Sequence, residues 1–304
     1  VFIMLSTLIV TSISAANTKE NNQFAQAIVE ISPKYLQWQQ LKDEEKENTI
    51  MPMPIEINLK ESMKRSTYNR VLATKANETT SGLEADYDLR EELAKIIVKN
   101  QQQTGDCWAF SSTSMIETTL TKKYGVAATE ISPMHLEYYV NKNFKKPLGD
   151  GANSWLTIAY LAGGKGPAYE SDLPFESLYD ETNYPRSDFY LKKSEEVSLT
   201  QPVRAQLTDA TFFGSIYKAY DETTGAPIYM DAGENEYTLE QVQGLRNLIK
   251  EHIKNDGGVT AMYYAPETAE DEANFYNVAT GAYYCNDTSK NINHQITIVG
   301  WDDN

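Results

Sequence analysis

The amino-acid sequence predicts an α+β fold in which helices are collected ahead of strands along the main body of the chain. Three observations predict it. Four segments between residues 107 and 257 read as helices, two of them by apolar side chains at helical spacing and three by a cap or a stop. Strand-like runs come after them at residues 259–264, 275–284 and 295–301. Helices and strands do not alternate, which argues against a doubly wound parallel sheet.

The first helix is read over residues 107–121, where Ala109, Ser111, Ser112 and Ser114 suit close packing against other elements. Ser132-Pro133 supplies an N-cap and a first-turn proline for a second helix, reaching about Val140. In the third, Trp155, Ile158, Ala159 and Ala162 fall at i, i+3, i+4 and i+7, and Gly163-Gly164 ends it. In the fourth, Thr238 and Gln241 form a capping box. Val242, Leu245 and Ile249 make its buried stripe, and Gly257-Gly258 stops it. Thr280-Gly281 interrupts the strand-like run at 275–284.

The segment before residue 84 has a different texture. Residues 1–16 join a short apolar core to small residues ending at Ala15-Ala16, the later part of a secretory signal peptide. A basic leader and an initiating Met are missing, so the sequence is expected to be clipped at its start. Export, to the medium or the cell surface, is the localisation this implies. In residues 17–83, Ser32-Pro33 opens a short helix with Tyr35, Trp38 and Leu41 at three-residue spacing. Met51-Pro52-Met53-Pro54 stops it, and Ile55, Ile57 and Leu59 then alternate like a strand. Residues 74–82 read as an exposed linker. One helix and one strand cannot make a core, so this segment is expected to lean on the larger body of the chain after residue 84.

Composition excludes several classes. Lys+Arg is 27 against Asp+Glu 43, a net charge of −16, which repels nucleic acid and anionic membranes. No apolar run approaches the ~18 residues of a membrane span. Two cysteines, Cys107 and Cys285, exclude a disulfide-rich framework and a cysteine zinc site, and three histidines argue against a histidine metal cluster. No metal or cofactor is expected. His135, in an aromatic helix, and His252, on a charged helix face, read as structural or solvated.

Chemistry concentrates in Val98-Lys99-Asn100-Gln101-Gln102-Gln103-Thr104-Gly105-Asp106-Cys107-Trp108-Ala109-Phe110. Cys107 sits where a loop enters a helix, and there the helix dipole and unpaired N–H groups favour a thiolate. Gln101 can return across the loop to donate its amide beside the sulfur. With the Cys107 backbone N–H it would make a two-point oxyanion hole. A thiolate also needs a base. His294 opens the apolar strand Gln295-Ile296-Thr297-Ile298-Val299-Gly300-Trp301 after a polar loop, a place from which an imidazole can face a cleft.

These motifs together resemble the papain-like cysteine peptidase family, in particular its exported bacterial members. VKNQ, then CWAF, then NHQITIVGW look like the family's oxyanion glutamine, nucleophile and histidine motifs. The resemblance implies a two-lobed fold, with a helical left lobe and an antiparallel, β-rich right lobe flanking an active-site cleft. It implies Cys107 as nucleophile, His294 as base and then acid, and Gln101 as oxyanion donor, with no cofactor. Gly149-Asp150-Gly151-Ala152-Asn153-Ser154-Trp155 looks like the glycine-rich segment that lines the cleft, so Gly151, Ala152 and Asn153 are the implied substrate contacts. Tyr87-Asp88-Leu89-Arg90 resembles the start of the mature domain. That makes residues 17–83 an inhibitory propeptide and residues 84–304 the peptidase domain.

The sequence also departs from the family's pattern. Thr104 and Gly149 stand where the family usually has two bridged cysteines, as if one disulfide were deleted. Cys107 and His294 lie 187 residues apart, against roughly 130–150 in such enzymes, so an insertion is expected at about 180–237. The orienting asparagine of the family would lie beyond Asn304, so the domain is expected to be truncated at its C-terminus. Cys285 reads either as half of a disulfide completed beyond Asn304 or as a spare thiol. The implied activity is a secreted endopeptidase made as a zymogen, with protein or peptide substrates and its own propeptide as inhibitor. A non-catalytic adhesin or binding module on a peptidase scaffold is the alternative from another class, and acyl transfer to an amine is a third.

Overall fold

The computed structural model describes residues 28–42, 45, 55–58, 83–93, 96, 98–164, 166–175, 188–201, 204–207, 210–214, 216–221, 223–231, 235–285, 287 and 289–304. The signal segment, the Met51–Pro54 helix stop and the 74–82 linker lie outside them. The N-terminal elements are β1 (Ile28–Ile31), α1 (Pro33–Gln39) and β2 (Ile55–Asn58), then β3 (Asp86–Asp88) and α2 (Leu89–Glu92). A helical block comes next: α3 (Cys107–Tyr124), α4 (Pro133–Phe144), α5 (Ser154–Ala162) and α6 (Asp188–Thr200). After it come β4 (Tyr217–Tyr220), β5 (Pro227–Met230), β6 (Glu236–Tyr237) and α7 (Leu239–Asp256). The chain continues through β7 (Val259–Tyr263), α8 (Ala269–Phe275), β8 (Tyr276–Asn277), β9 (Ala282–Tyr283), β10 (His294–Ile298) and β11 (Gly300–Asp302).

Helix α3 lies between two bodies of apolar packing and a sheet. Trp108, Ala109 and Ile116 join Leu136, Val140, Leu156 and Tyr160 of α4 and α5 in one cluster. Phe110 joins Met134, Tyr138, Leu173, Phe175 and Val197 in another. Its remaining face meets β10, β7 and α7. Small side chains permit this closeness. Ser112 is fully buried and accepts a hydrogen bond from Thr157 Oγ1 at 2.7 Å, and Thr118 Oγ1 accepts from the Gly258 N–H at 2.9 Å.

The caps expected from the sequence are present. Ser32, Ser132 and Thr238 each accept from a backbone N–H in the first turn of α1, α4 and α7, and the Thr238/Gln241 box is reciprocal. Gly125, with φ 66°, closes α3 in the left-handed conformation that glycine adopts without strain. Other expectations need correction. The apolar spacing Trp155, Ile158, Ala159, Ala162 marks α5 but is not its buried face. Leu156, Thr157, Tyr160 and Leu161 are buried, while Trp155 stacks on Phe212 at 5.0 Å. The helix is apolar on most of its circumference, so spacing alone does not select a side.

The run at 275–284 is the end of helix α8 and then a two-residue-per-strand hairpin, β8–β9. Thr268 caps α8, accepting from the Asp271 N–H, and Glu270, Asp271 and Glu272 complement its N-terminal dipole. The run at 295–301 is two strands that change partner at Val299. β10 pairs antiparallel with β7, while β11 pairs antiparallel with β3, setting Trp301 opposite Tyr87. Their rings stack at 4.9 Å, and the Lys250 ammonium sits 5.5 Å from the Trp301 ring.

Within the expected insertion, α6 packs against α4, and β4, β5 and β6 form a three-stranded antiparallel meander. In the N-terminal segment β1 pairs antiparallel with β2, a partner that the alternation at Ile55 and Ile57 does not reveal. Among the described residues, no helix is long and apolar enough to cross a membrane.

Glu170 directly follows the Ile131–Tyr169 bridge. Glu170 accepts from the Phe175 N–H, and burial raises its carboxyl to about 7, opposed by that bond and by Lys99 and reinforced by Glu130 and Glu117. A folded-state value above the unfolded one stabilises the protein below about pH 4.5, and this stabilisation is lost as pH rises through 7. Glu170→Gln is therefore expected to flatten the decline in stability between pH 4.5 and 7 in denaturant titrations. An unchanged slope would contradict this.

Candidate active site

Cys107 is the first residue of α3 and is almost wholly buried. Burial raises its thiol above the ordinary cysteine value, and the nearby Asp106 carboxylate adds to this. The backbone N–H groups of Gln295 and Trp108, with the Lys146 ammonium, act in the opposite direction. The contact with the Gln295 N–H places the sulfur one peptide from His294. Cys107 and Cys285 are both free thiols, so the chain holds no Cys107–Cys285 disulfide.

His294 opens β10 directly opposite Tyr263 of β7. Its ring packs edge-on against Tyr263 with centroids 5.5 Å apart, and burial lowers its imidazole below the ordinary histidine value. Among the described residues the imidazole makes no hydrogen bond to the thiol. The Tyr263 phenol, raised by burial and then by the Cys107 charge, stands near both groups.

Several bonds hold β10 against α3. Gln295 Nε2 donates to Ser111 Oγ at 2.8 Å, and Thr297 Oγ1 donates to the Ser111 carbonyl at 2.7 Å. The Asn293 side chain clamps the mouth of the strand. Its Oδ1 accepts from the Ala265 N–H at 2.6 Å, and its Nδ2 donates to the Ala265 carbonyl at 2.9 Å. Ser111, Asn293 and Tyr263 escape sequence reading, because only the pairing of β7 with β10 and of α3 with β10 gives them a role.

Gln101 stands on the loop before α3, where its Nε2 donates to the Thr104 carbonyl at 2.7 Å. One of the two amide hydrogens thus closes the loop. Thr104, in the place of the expected missing cysteine, is buried and donates to the Gln101 carbonyl at 2.7 Å. A hydrogen bond ties the two loops where the family's disulfide would. The Gly105 N–H donates to the Gly149 carbonyl at 2.7 Å, and the Gly149 N–H donates to the buried Glu137 carboxylate.

The substrate contacts implied by the glycine-rich segment are narrowed. Ala152 and Asn153 are both 0% exposed; Ala152 packs in the core, and the Asn153 carboxamide caps α5 by accepting from the Trp155 N–H at 3.0 Å. Neither side chain is available to a ligand here. Gly151 alone of the three is partly exposed, next to Asp150, whose carbonyl accepts from Trp108 Nε1 at 3.2 Å. His135 is structural: its two ring nitrogens meet Tyr160 and Ser198 hydroxyls at 2.7 and 2.5 Å, and burial lowers it to about 4. His252 pairs with Asp256 at 2.9 Å on the α7 surface.

The tether makes one residue exacting. A Cβ on Gly105 would lie 2.5 Å from the Gly149 carbonyl oxygen and 3.1 Å from Gly151 N, all backbone atoms that cannot rotate away. Gly105→Ala is expected to lose about 1–3 kcal/mol in chemical denaturation as the loops separate. An unshifted midpoint would mean that they are not in contact.

The family model described as papain family cysteine protease matches residues 83–304. The crystal structure of the cysteine protease and lectin-like domains of Cwp84, a surface layer associated protein of Clostridium difficile, is similar at a TM-score of 0.50. The two share 23% identity, covering 91% of this chain and 48% of that one. The Amb a 11 cysteine protease of ragweed pollen, in its proform, gives a TM-score of 0.42 and 18% identity over 74% of this chain and 48% of that chain. The "Gamete and mating-type specific protein A" of Dictyostelium discoideum is 27% identical over 138 residues, 40% of this chain and 29% of that protein. The chain thus spans about half the length of these solved structures and under a third of the Dictyostelium protein. With the family matched across most of its length and the Cwp84 fold shared, this chain belongs to the papain family of cysteine proteases.

Proposed function

We propose that this chain is an exported cysteine endopeptidase that hydrolyses protein or peptide substrates through a Cys107–His294 pair. The observation that carries the reading is the Cys107 sulfur at the N-terminus of α3, against the backbone N–H of the residue after His294. An extended substrate would lie across the cleft with its backbone beside Gly151. The thiol proton passes to His294 and the sulfur attacks the scissile carbonyl carbon. The oxyanion then accepts from the Cys107 N–H, one of the helix's unpaired first-turn donors, and from the second hydrogen of Gln101 Nε2. His294 returns the proton to the leaving amine, giving a thioester. Water deprotonated by the same imidazole releases the acid and restores the thiol.

Burial of both reactive groups supports a resting pair that is uncharged until substrate binding brings imidazole to sulfur. An opposite charge within ~4–6 Å favours the charged form of each group, against the direction of burial. Residues 1–16 are read as the export signal. Residues 17–83, with the β1–β2 pair and α1, are read as the propeptide of a zymogen whose mature domain begins near Tyr87.

In the full-length protein, Cys107→Ala and His294→Ala are each expected to lower kcat/KM on a denatured protein substrate by about 10³-fold or more. Gln101→Ala is expected to cost about 10²–10³-fold in kcat. Substantial turnover by either of the first two variants would overturn the assignment. If the protein binds its targets undiminished but none of the three substitutions alters any hydrolysis, the binding-module reading takes its place.

A further inference from the structure

The loop between α4 and α5 wraps the N-terminus of α3 and brings an unusual group of charges to the nucleophile. Lys145, with φ 58°, ends α4, and Asn141 Nδ2 donates to the Lys146 carbonyl at 2.7 Å, fixing the turn. The Lys146 ammonium lies 5.8 Å from the Trp108 ring centroid and donates to the Pro147 carbonyl at 3.1 Å. Around it stand Asp106, fully buried and next to Cys107, Glu137, fully buried and bonded to the Gly149 N–H, and Asp150. Three carboxylates and one ammonium therefore gather beside Trp108.

We infer that Lys146 is a positioning residue for the reaction: its ammonium compensates the carboxylates of Asp106, Glu137 and Asp150 and so lets Cys107 carry negative charge. The inference rests on the proposed role of Cys107. An uncompensated carboxylate beside a buried sulfur disfavours the thiolate, whereas a cation within a few ångströms favours it. Buried carboxylates with no cation are themselves strongly unfavourable, so the ammonium serves both the loop and the thiol. The other groups facing the sulfur are His294 on β10, the Tyr263 phenol on β7 and the Gln295 and Trp108 N–H groups. To these Lys146 adds an ammonium, whose charge burial opposes and Glu137, Asp106 and Asp150 support. Consistent with the geometry, Lys146 lowers the Cys107 thiol while Asp106 raises it, and burial works against the Lys146 charge.

The test is the pH profile of Cys107 alkylation by iodoacetamide in full-length protein, with the modified residue mapped by mass spectrometry. Lys146→Met is expected to move the ascending limb to higher pH by at least about half a unit, and Asp106→Asn to move it to lower pH. Opposite shifts separate an electrostatic role from general loosening of the loop, which would move both variants the same way. Unmoved limbs, or shifts of the same sign, in proteins that keep a cooperative unfolding transition would overturn the inference. Cys107→Ser reads the underlying assignment separately. Peptidase activity surviving in that variant would remove the nucleophile itself, whatever the Lys146 profile shows.

Discussion

How closely α3 approaches β10 decides whether this chain has a site at all. Cys107 and His294 come from distant parts of the sequence, and nothing local brings them together. Ser111, one turn into α3, does it by offering its hydroxyl to Gln295 and its carbonyl to Thr297. A large side chain at buried Ser111 would push helix and strand apart, and one at fully buried Ser112 or Ala109 would disturb the packing of α3 on α4 and α5. The small residues on α3 are therefore a requirement of the chemistry as well as of packing. The two apolar clusters on its other faces hold the helix rigid while this contact is made.

Closeness has an electrostatic cost. A sulfur and an imidazole held in dry surroundings both prefer to be neutral, and burial moves each in that direction. The chain offsets this with oriented dipoles and one cation. The first turn of α3 turns the Trp108 N–H toward the sulfur, β10 adds the Gln295 N–H, and the loop after α4 brings the Lys146 ammonium. The same loop is tied by hydrogen bonds where the family's usual crosslink would be, with Gly105 and Gly149 in backbone contact over a buried carboxylate. Replacing a covalent tie by polar contacts makes the geometry of that loop depend on Glu137 and Gly105.

Much of this is legible in the sequence where the signal is local. Caps and stops place α4 and α7, because Ser132, Thr238 and Gly257 act on neighbouring backbone. Cys107, Gln101 and His294 stand out because their chemistry needs a particular residue at a particular kind of turn. The features that stay hidden depend on distant partners. The change of partner at Val299, where one apolar run serves two sheets, is written in β3 and β7 and not in the run itself. The burial of Asn153 and Ala152 depends on how α5 docks. Lys146 looks like any surface lysine in a basic pair until the loop folds it beside Trp108. Helix α8 is readable in principle, since Thr268 and the acidic residues after it make an N-terminal signature, but the aromatic run behind it has the composition of a strand.

Cys107 as an activated thiol, with His294 as the group that activates it, is the central claim. The most direct measurement is covalent labelling of the full-length, propeptide-cleaved protein at neutral pH with a peptidyl epoxide, the modified residue being mapped by mass spectrometry. Labelling is expected at Cys107, with little at Cys285 and loss of the label in His294→Ala. Equal labelling of the two cysteines, or labelling of Cys107 that is indifferent to His294, would contradict it.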